Sequence, residues 1–200
     1  TLAGSPSLAT PDGPGSNARF AWPSGAAADS ARNVHVADSE NNTIRKVTPA
    51  GEVITLAGLA GVSGSLDGTG SGARFAAPHV VAGYSAGNVE GADTGNQTIR
   101  KVSSAGVVST LAGAAGSSGS KDGTGAGALF FGPQGVAVAT SGDVYVADTW
   151  NHTIRLISPA GVVSTLAGTA GSYGSTDATG SAARFYEPRA LALDPSGALY

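Results

Sequence analysis

Acidic, amide and basic side chains recur at fixed spacing along this chain and are the first candidates for chemistry. An Asp is followed by an Asn three residues later and an Arg seven residues later, and this set occurs three times at equal intervals: Asp38, Asn41 and Arg45; Asp93, Asn96 and Arg100; Asp148, Asn151 and Arg155. Rings of carboxylates and amides could bind a cation or a sugar, and arginines could bind anions. A single binding site does not need identical residues in every repeat. We therefore expect the Asp and Asn side chains to cap their own turns by bonding nearby backbone N–H groups, and each Arg to pair with an Asp or a carbonyl of the adjoining repeat.

A second set of polar residues occupies one repeat position but differs in chemistry from repeat to repeat. It follows the Pro of each repeat and consists of Ser24, His79, Gln134 and Arg189. Variation on a repeated scaffold indicates a surface where ligand selectivity can reside, so these residues are candidate ligand contacts. Two aromatic residues, Trp22 and Trp150, are expected near the same loops. Each could stack on a sugar, anchor a partner or pack against neighbouring loops.

The residue patterns give little indication of a metal site, a phosphate-binding loop or a catalytic nucleophile. His35, His79 and His152 fall at three different repeat positions, whereas zinc needs three or four N or S ligands. The Gly-rich loops 67–70 and 122–125 each offer one Asp, fewer oxygens than calcium requires, and they lack the Lys-Ser/Thr of a phosphate loop. There is no Cys, and no Ser–His–Asp set is recognisable. The sequence predicts no cofactor, and a calcium or zinc site would need residues outside this chain.

An internal repeat of about 55 residues positions these side chains. The tetrapeptide Thr-Leu-Ala-Gly begins at residues 1, 55, 110 and 165, and each repeat contains four short apolar segments separated by Gly-rich turns. Four antiparallel strands per repeat, without helical periodicity, predict an all-β fold built from β-propeller blades. The predicted units are residues 5–58, 59–113, 114–168 and an incomplete 169–200. Chain direction places the long Gly/Ser loops and the Asp-Thr-x-Asn turns on one rim, where function is expected.

Composition narrows the classes of partner. The net charge is −3 and there is no basic run, which argues against nucleic acid. No apolar run approaches the roughly 20 residues of a membrane-spanning helix, so no membrane insertion is expected in this segment. The chain begins within a repeat at Thr1 and ends within a predicted strand at Tyr200. We therefore expect a fragment that forms an open arc and self-associates through its exposed blade edges.

The motif from Gly142 to Arg155, with Pro133 and the strand 135–138 before it, resembles the NHL repeat family. The resemblance extends over essentially all 200 residues and implies a partial propeller, most often one of six four-stranded blades. It is similar to the long-loop type found in bacterial surface and secreted proteins, which implies an extracellular, periplasmic or cell-surface location. The function implied is a non-catalytic platform that binds protein or carbohydrate on the long-loop rim. Two alternatives are a propeller-type lyase or lactonase with a metal site partly outside this chain, and a structural spacer.

Overall fold

The computed structural model shows an all-β chain with a few short 3-10 helices. It describes residues 1–5, 10–85 and 87–200, so the predicted units 5–58 and 59–113 each include residues outside the described ones. The chain forms two compact units. Unit 1 comprises Thr1–Gly91 and Lys101–Ser109, and unit 2 comprises Ala92–Arg100 and Thr110–Tyr200.

Strands appear at a regular interval that follows the sequence repeat. The strands are β1 Gly13–Pro14, β2 Pro23–Ala28, β3 Val34–Asp38, β4 Thr43–Val47, β5 Glu52–Ala57, β6 Gly68–Thr69, β7 Pro78–Ser85, β8 Asn88–Asp93, β9 Thr98–Val102, β10 Val107–Ala112, β11 Gly123–Thr124, β12 Pro133–Val138, β13 Val144–Asp148, β14 Thr153–Ile157 and β15 Val162–Ala167. The 3-10 helices are Gly15–Asn17, Gly70–Gly72, Thr94–Asn96, Gly125–Gly127, Thr149–Asn151 and Gly180–Ala182.

Each complete repeat forms one antiparallel sheet with the same strand order. The orders are β1-β5-β4-β3-β2, β6-β10-β9-β8-β7 and β11-β15-β14-β13-β12. The four predicted strands are present, which confirms the blade-type fold. The structure adds a short fifth strand, which the long loop contributes. This strand pairs antiparallel with the strand that comes last in the chain order of its repeat: β1 with β5, β6 with β10 and β11 with β15. A two-residue strand such as Gly13–Pro14 is too short to produce an alternating pattern in the sequence.

Alternation along the strands explains which side chains enter the core. In unit 1, apolar side chains from neighbouring sheets form one buried cluster that includes Ile44, Leu56, Phe75, Val81 and Val108. Burying side chains of this size stabilises the fold by about 1.5–3 kcal/mol each. Because these positions recur in every repeat, the repeat itself specifies the packed faces and leaves the loops free to differ.

Residues 169–200 contain less regular structure than the three complete repeats. The segment 190–194, which corresponds to the first strand of the complete repeats, has an isolated bridge between Leu193 and Leu199, paired backbone hydrogen bonds between Ala192 and Tyr200, and a backbone hydrogen bond from Asp194 to Ala198. Among the residues that the structure describes, no helix has the length and hydrophobicity that a membrane crossing requires.

Candidate functional site

The recurring Asp, Asn and Arg residues form buried hydrogen-bond networks. Asp148 accepts hydrogen bonds at Oδ2 from Asn151 Nδ2 (2.7 Å) and Arg155 Nη1 (2.8 Å). Its Oδ1 accepts from the backbone N–H of Phe131 (2.8 Å), which lies 17 residues earlier. The Asp side chain therefore fixes the end of the long loop onto the sheet, rather than bonding to N–H groups within its own turn.

Equivalent hydrogen bonds occur in the other two repeats. Asp38 Oδ2 accepts from Asn41 (2.8 Å) and Arg45 (2.8 Å), and its Oδ1 accepts from the backbone N–H of Ala21 (2.6 Å). The remaining set has the same two side-chain bonds, at 2.7 Å each, from Asn96 and Arg100 to Asp93. All three arginines are at most 1% exposed. They are out of reach of an anionic ligand.

The far end of the Arg155 network reaches the long loop of the same sheet. Arg155 Nη2 donates to Asp122 Oδ1 (2.7 Å), its Nη1 donates to the Leu129 carbonyl (3.0 Å), and the guanidinium lies 5.2 Å from the ring centroid of Phe130. Asp122 also accepts from the Thr165 hydroxyl (3.0 Å). The partner of each Arg was expected in an adjoining repeat. The structure instead pairs Arg155 within its own sheet, because the short outer strand brings Asp122 alongside β15.

A cleft in unit 1 brings together three of the predicted site residues, Trp22, Ser24 and His79. We call it the Trp22 cleft; it has a volume of about 500 Å³ and is lined by Trp22, Pro23, Ser24, Ser39, Glu40, Asn42, Ala77 and His79. The lining combines the end of the long loop, the start of β2, the turn after β3 and the start of β7. It therefore lies where the loops and turns were expected to meet. Gln134, Arg189 and Trp150 are not part of it.

Hydroxyl groups form one wall of the Trp22 cleft and are held by backbone carbonyls. Ser24 Oγ donates to the His79 carbonyl (2.5 Å), and Ser39 Oγ donates to the Pro78 carbonyl (2.6 Å). The two hydroxyls also contact each other. Equivalent bonds in unit 2 run from Thr94 Oγ1 to the Pro133 carbonyl and from Thr149 Oγ1 to the Pro188 carbonyl. This contact joins consecutive repeats.

A side-chain acceptor at the end of each turn makes a second connection between consecutive repeats. Asn42 Oδ1 accepts from the backbone N–H of Ala77 (2.8 Å). Gln97 Oε1 and His152 Nδ1 occupy the same place and accept from the N–H groups of Gly132 (2.6 Å) and Glu187 (3.1 Å). In the Trp22 cleft this bond fixes the orientation of the Asn42 amide.

Trp22 has an unusual backbone for a large residue. Its φ is +50°, and 67% of its surface is exposed. The equivalent residues Ala77, Gly132 and Glu187 have φ values of +46°, +58° and +47°. The repeat therefore requires positive φ at this position, which glycine adopts freely and a bulky side chain adopts at a cost. The scaffold does not explain why a Trp is there.

Trp150 differs from Trp22 in its surroundings. It is 44% exposed, and its ring makes an edge contact with Phe131 at a centroid distance of 5.0 Å. It also covers Gly132, where an added Cβ would lie 2.5 Å from the indole. The sequence left open whether each Trp contacts a ligand or packs against neighbouring loops. Trp150 packs against a neighbouring loop, whereas Trp22 is exposed in a cleft.

The other two candidate ligand contacts lie in unit 2. Gln134, in β12, is 8% exposed, and its Oε1 has no hydrogen-bond partner among the described residues. Arg189 is largely exposed and donates to Glu187 Oε2 (2.8 Å). Neither environment identifies a ligand site.

An aromatic cluster in unit 2 was not predicted from the sequence. The rings of His152, Tyr173 and Tyr186 lie 5.5–5.8 Å apart, centroid to centroid, and both tyrosines are about two thirds exposed. The available signals were two replacements at equivalent repeat positions: Tyr173 stands where Ser63 and Ser118 do, and Tyr186 stands where Ala76 and Phe131 do. The contact of Tyr173 with the rings of His152 and Tyr186 depends on how the loop folds, and no residue spacing in the sequence predicts it.

No group of three or more His, Cys, Asp or Glu side chains that could hold a metal ion occurs within residues 1–5, 10–85 and 87–200. The expectation about cofactors stays a prediction.

Comparison with known proteins identifies the repeat. The family model for the NHL repeat matches residues 130–155. The chain is 40% identical over 83 residues to Protein SUPPRESSOR OF QUENCHING 1, chloroplastic, from Arabidopsis thaliana, a match that covers 41% of this chain and 8% of that protein.

Solved structures share the fold at low sequence identity. One is an auxiliary nutrient binding protein from Bacteroides ovatus, with a TM-score of 0.69 and 22% identity over 90% of this chain and 45% of that one. Another is a streptogramin B lyase, with a TM-score of 0.62 and 16% identity over 90% of this chain and 47% of that one. The chain thus spans less than half the length of these two structures. Likeness at this level of identity shows the β-propeller fold.

Proposed function

Since residues 130–155 are an NHL repeat within sheets of the β-propeller type, we propose that this chain is a non-catalytic binding domain. It holds a protein or glycan ligand on the rim formed by its long loops, within a larger secreted or surface protein. The observation behind the proposal is the Trp22 cleft, where an exposed indole occupies a position that the scaffold would fill more easily with glycine.

Two similar structures support this proposal, because they share the fold and their names mention a bound molecule. The Bacteroides structure is named as an auxiliary nutrient binding protein, and another similar structure is that of a nidogen/laminin complex. Both names concern binding to another molecule. The Arabidopsis relative is named as chloroplastic, so the extracellular or periplasmic location proposed here needs its own test by cell fractionation.

A binding screen with matched variants tests the proposal. The protein is screened against a glycan array and a displayed peptide library, and each ligand found is titrated against wild type, Trp22→Ala and Tyr173→Ala. Tyr173 is as exposed as Trp22 but belongs to unit 2. We expect Trp22→Ala to weaken binding at least tenfold and Tyr173→Ala to leave it unchanged. A ligand that binds both variants as tightly as wild type would exclude the Trp22 cleft as the binding site.

The lyase or lactonase alternative rests on the fold shared with streptogramin B lyase at 16% identity, a level that concerns the fold alone. Its test is the metal content of the purified protein. Stoichiometric zinc or calcium would favour the enzyme over the binding domain.

A further inference from the structure

The geometry of the Trp22 cleft points to the chemical class of its ligand, and we infer that this ligand is a neutral carbohydrate. A sugar ring stacks on the Trp22 indole, and its hydroxyl groups bind the polar wall that includes Ser24, Ser39 and Glu40. This inference rests on the proposed function because it concerns the same cleft.

A single flat ring forms the apolar side of the cleft. Trp22 is exposed, and it is the only aromatic carbocycle in the lining. The C–H face of a sugar ring is apolar and matches one indole face. A quaternary or alkylated ammonium ligand is recognised by several aromatic rings that surround it, and this lining does not supply them.

The polar side of the cleft offers mainly hydrogen-bond acceptors. The hydroxyls of Ser24 and Ser39 donate to the carbonyls of His79 and Pro78, so their remaining capacity is to accept. Glu40 adds a carboxylate at the exposed edge. A ligand for this wall must bring donors at closely spaced positions, and the vicinal hydroxyls of a sugar are such donors.

Charge and shape argue against the other ligand classes. Glu40 is the only Asp, Glu, Lys or Arg among the lining residues, so beside the His79 imidazole the cleft offers no guanidinium or ammonium group to bind a phosphate, sulfate or carboxylate. The apolar residues beside Trp22 are Pro23 and Ala77, which form no pocket for a large aliphatic side chain of a peptide. A volume of about 500 Å³ lies within the range of small-molecule sites.

The wall is also held in place before a ligand arrives. Asn42 is fixed by the N–H of Ala77, and the two serines are fixed by backbone carbonyls. Preorganised groups lose little conformational freedom on binding. A small sugar with few contacts can therefore bind measurably.

Calorimetric titration tests the inference. The probes are neutral disaccharides (maltose, cellobiose and chitobiose), a sulfated disaccharide and a lysine-rich hexapeptide, each at about 50 mM and about 500 mM NaCl because salt screens ionic contacts. We expect a neutral disaccharide to bind with an affinity that salt does not change. Trp22→Ala should weaken it at least tenfold and Glu40→Gln about threefold, while Tyr173→Ala should have no effect.

The alternative outcomes separate this inference from the proposed function. Binding of the hexapeptide that falls at high salt and on Glu40→Gln, without binding of any neutral sugar, would overturn the carbohydrate assignment and retain the binding function. Binding of the sulfated disaccharide alone would do the same. If no probe binds, or if Trp22→Ala leaves every affinity unchanged while circular dichroism shows the variant folded, the carbohydrate assignment and the role of the cleft both fail.

Discussion

Two regions recur in every complete repeat and differ in what they keep constant. In the buried networks the residues are the same in all three repeats, and the bonds to the Asp carboxylate from Asn and Arg lie between 2.7 and 2.8 Å. At the rim position of Trp22 the backbone is constant, with φ from +46° to +58°, but the side chain changes in every repeat. Constant chemistry at a constant place indicates a shared structural task. Constant backbone with changing chemistry indicates a position available for recognition.

The largest expected effect comes from breaking a buried network. Arg155→Met leaves the Asp148 carboxylate buried without its charged partner, which should lower the free energy of unfolding by about 3–5 kcal/mol. The control is Arg189→Met, which removes an exposed ion pair with Glu187 and should cost less than about 1 kcal/mol. Urea unfolding of both variants measures the difference. Equal losses would remove the distinction between the buried network and the rim.

Glu90 provides a pH test within a buried part of unit 1. Burial raises its pKa from 4.5 to about 7, and Lys101 opposes that rise only in part. Since the folded-state pKa is above the unfolded value, the contribution of Glu90 to stability is full below about pH 4.5 and is lost as pH rises through about 7, by up to about 3 kcal/mol. Glu90→Gln should flatten this dependence in urea unfolding measured from about pH 5 to about pH 8. The exposed control Glu52→Gln should keep the wild-type profile, and a steep profile in Glu90→Gln would contradict the assignment.

Exchanging residues at the rim position should have opposite effects on stability and binding. Trp22→Gly removes the cost of holding a large residue at positive φ, so the unfolding free energy should stay the same or rise by up to about 1 kcal/mol. Ligand affinity should fall in the same variant. Gly132→Trp should destabilise the fold because its Cβ would lie 2.5 Å from the Trp150 indole. Thermal unfolding distinguishes the two. A clear loss of stability in Trp22→Gly would show that the indole has a structural task after all.

The smallest effect is expected at the exposed end of the Arg155 network. Burial, which raises the pKa of Asp122, is outweighed by hydrogen bonds from Arg155 and Thr165, so its pKa is lowered. Its stabilisation is therefore present at neutral pH and is lost as pH falls through that lowered pKa. Because half of this side chain is exposed, Asp122→Asn should cost less than about 1 kcal/mol at neutral pH. A larger loss, measured by urea unfolding, would mean that Asp122 belongs with the buried core of the network.

The repeat period and the four longer strands of each sheet could be predicted from the sequence, because both follow from alternation and turn residues. The pairing of Arg155 with Asp122 could not, because it depends on a very short strand that leaves no pattern. The positive φ at Trp22 was also hidden, since Ala77 and Glu187 give no sign of it. The contact among His152, Tyr173 and Tyr186 depends on how a loop folds back and has no spacing rule.

The hydrogen bond that joins each turn to the next repeat has a chemical consequence of its own. Asn42, Gln97 and His152 perform the same task with an amide, a longer amide and an imidazole. The imidazole differs from the two amides in having an aromatic face, and that face stacks on the Tyr186 ring at a centroid distance of 5.8 Å. One connection between consecutive repeats thus also orients an exposed aromatic ring, so exchanging a single side chain decides which connection adds a ring contact to its hydrogen bond.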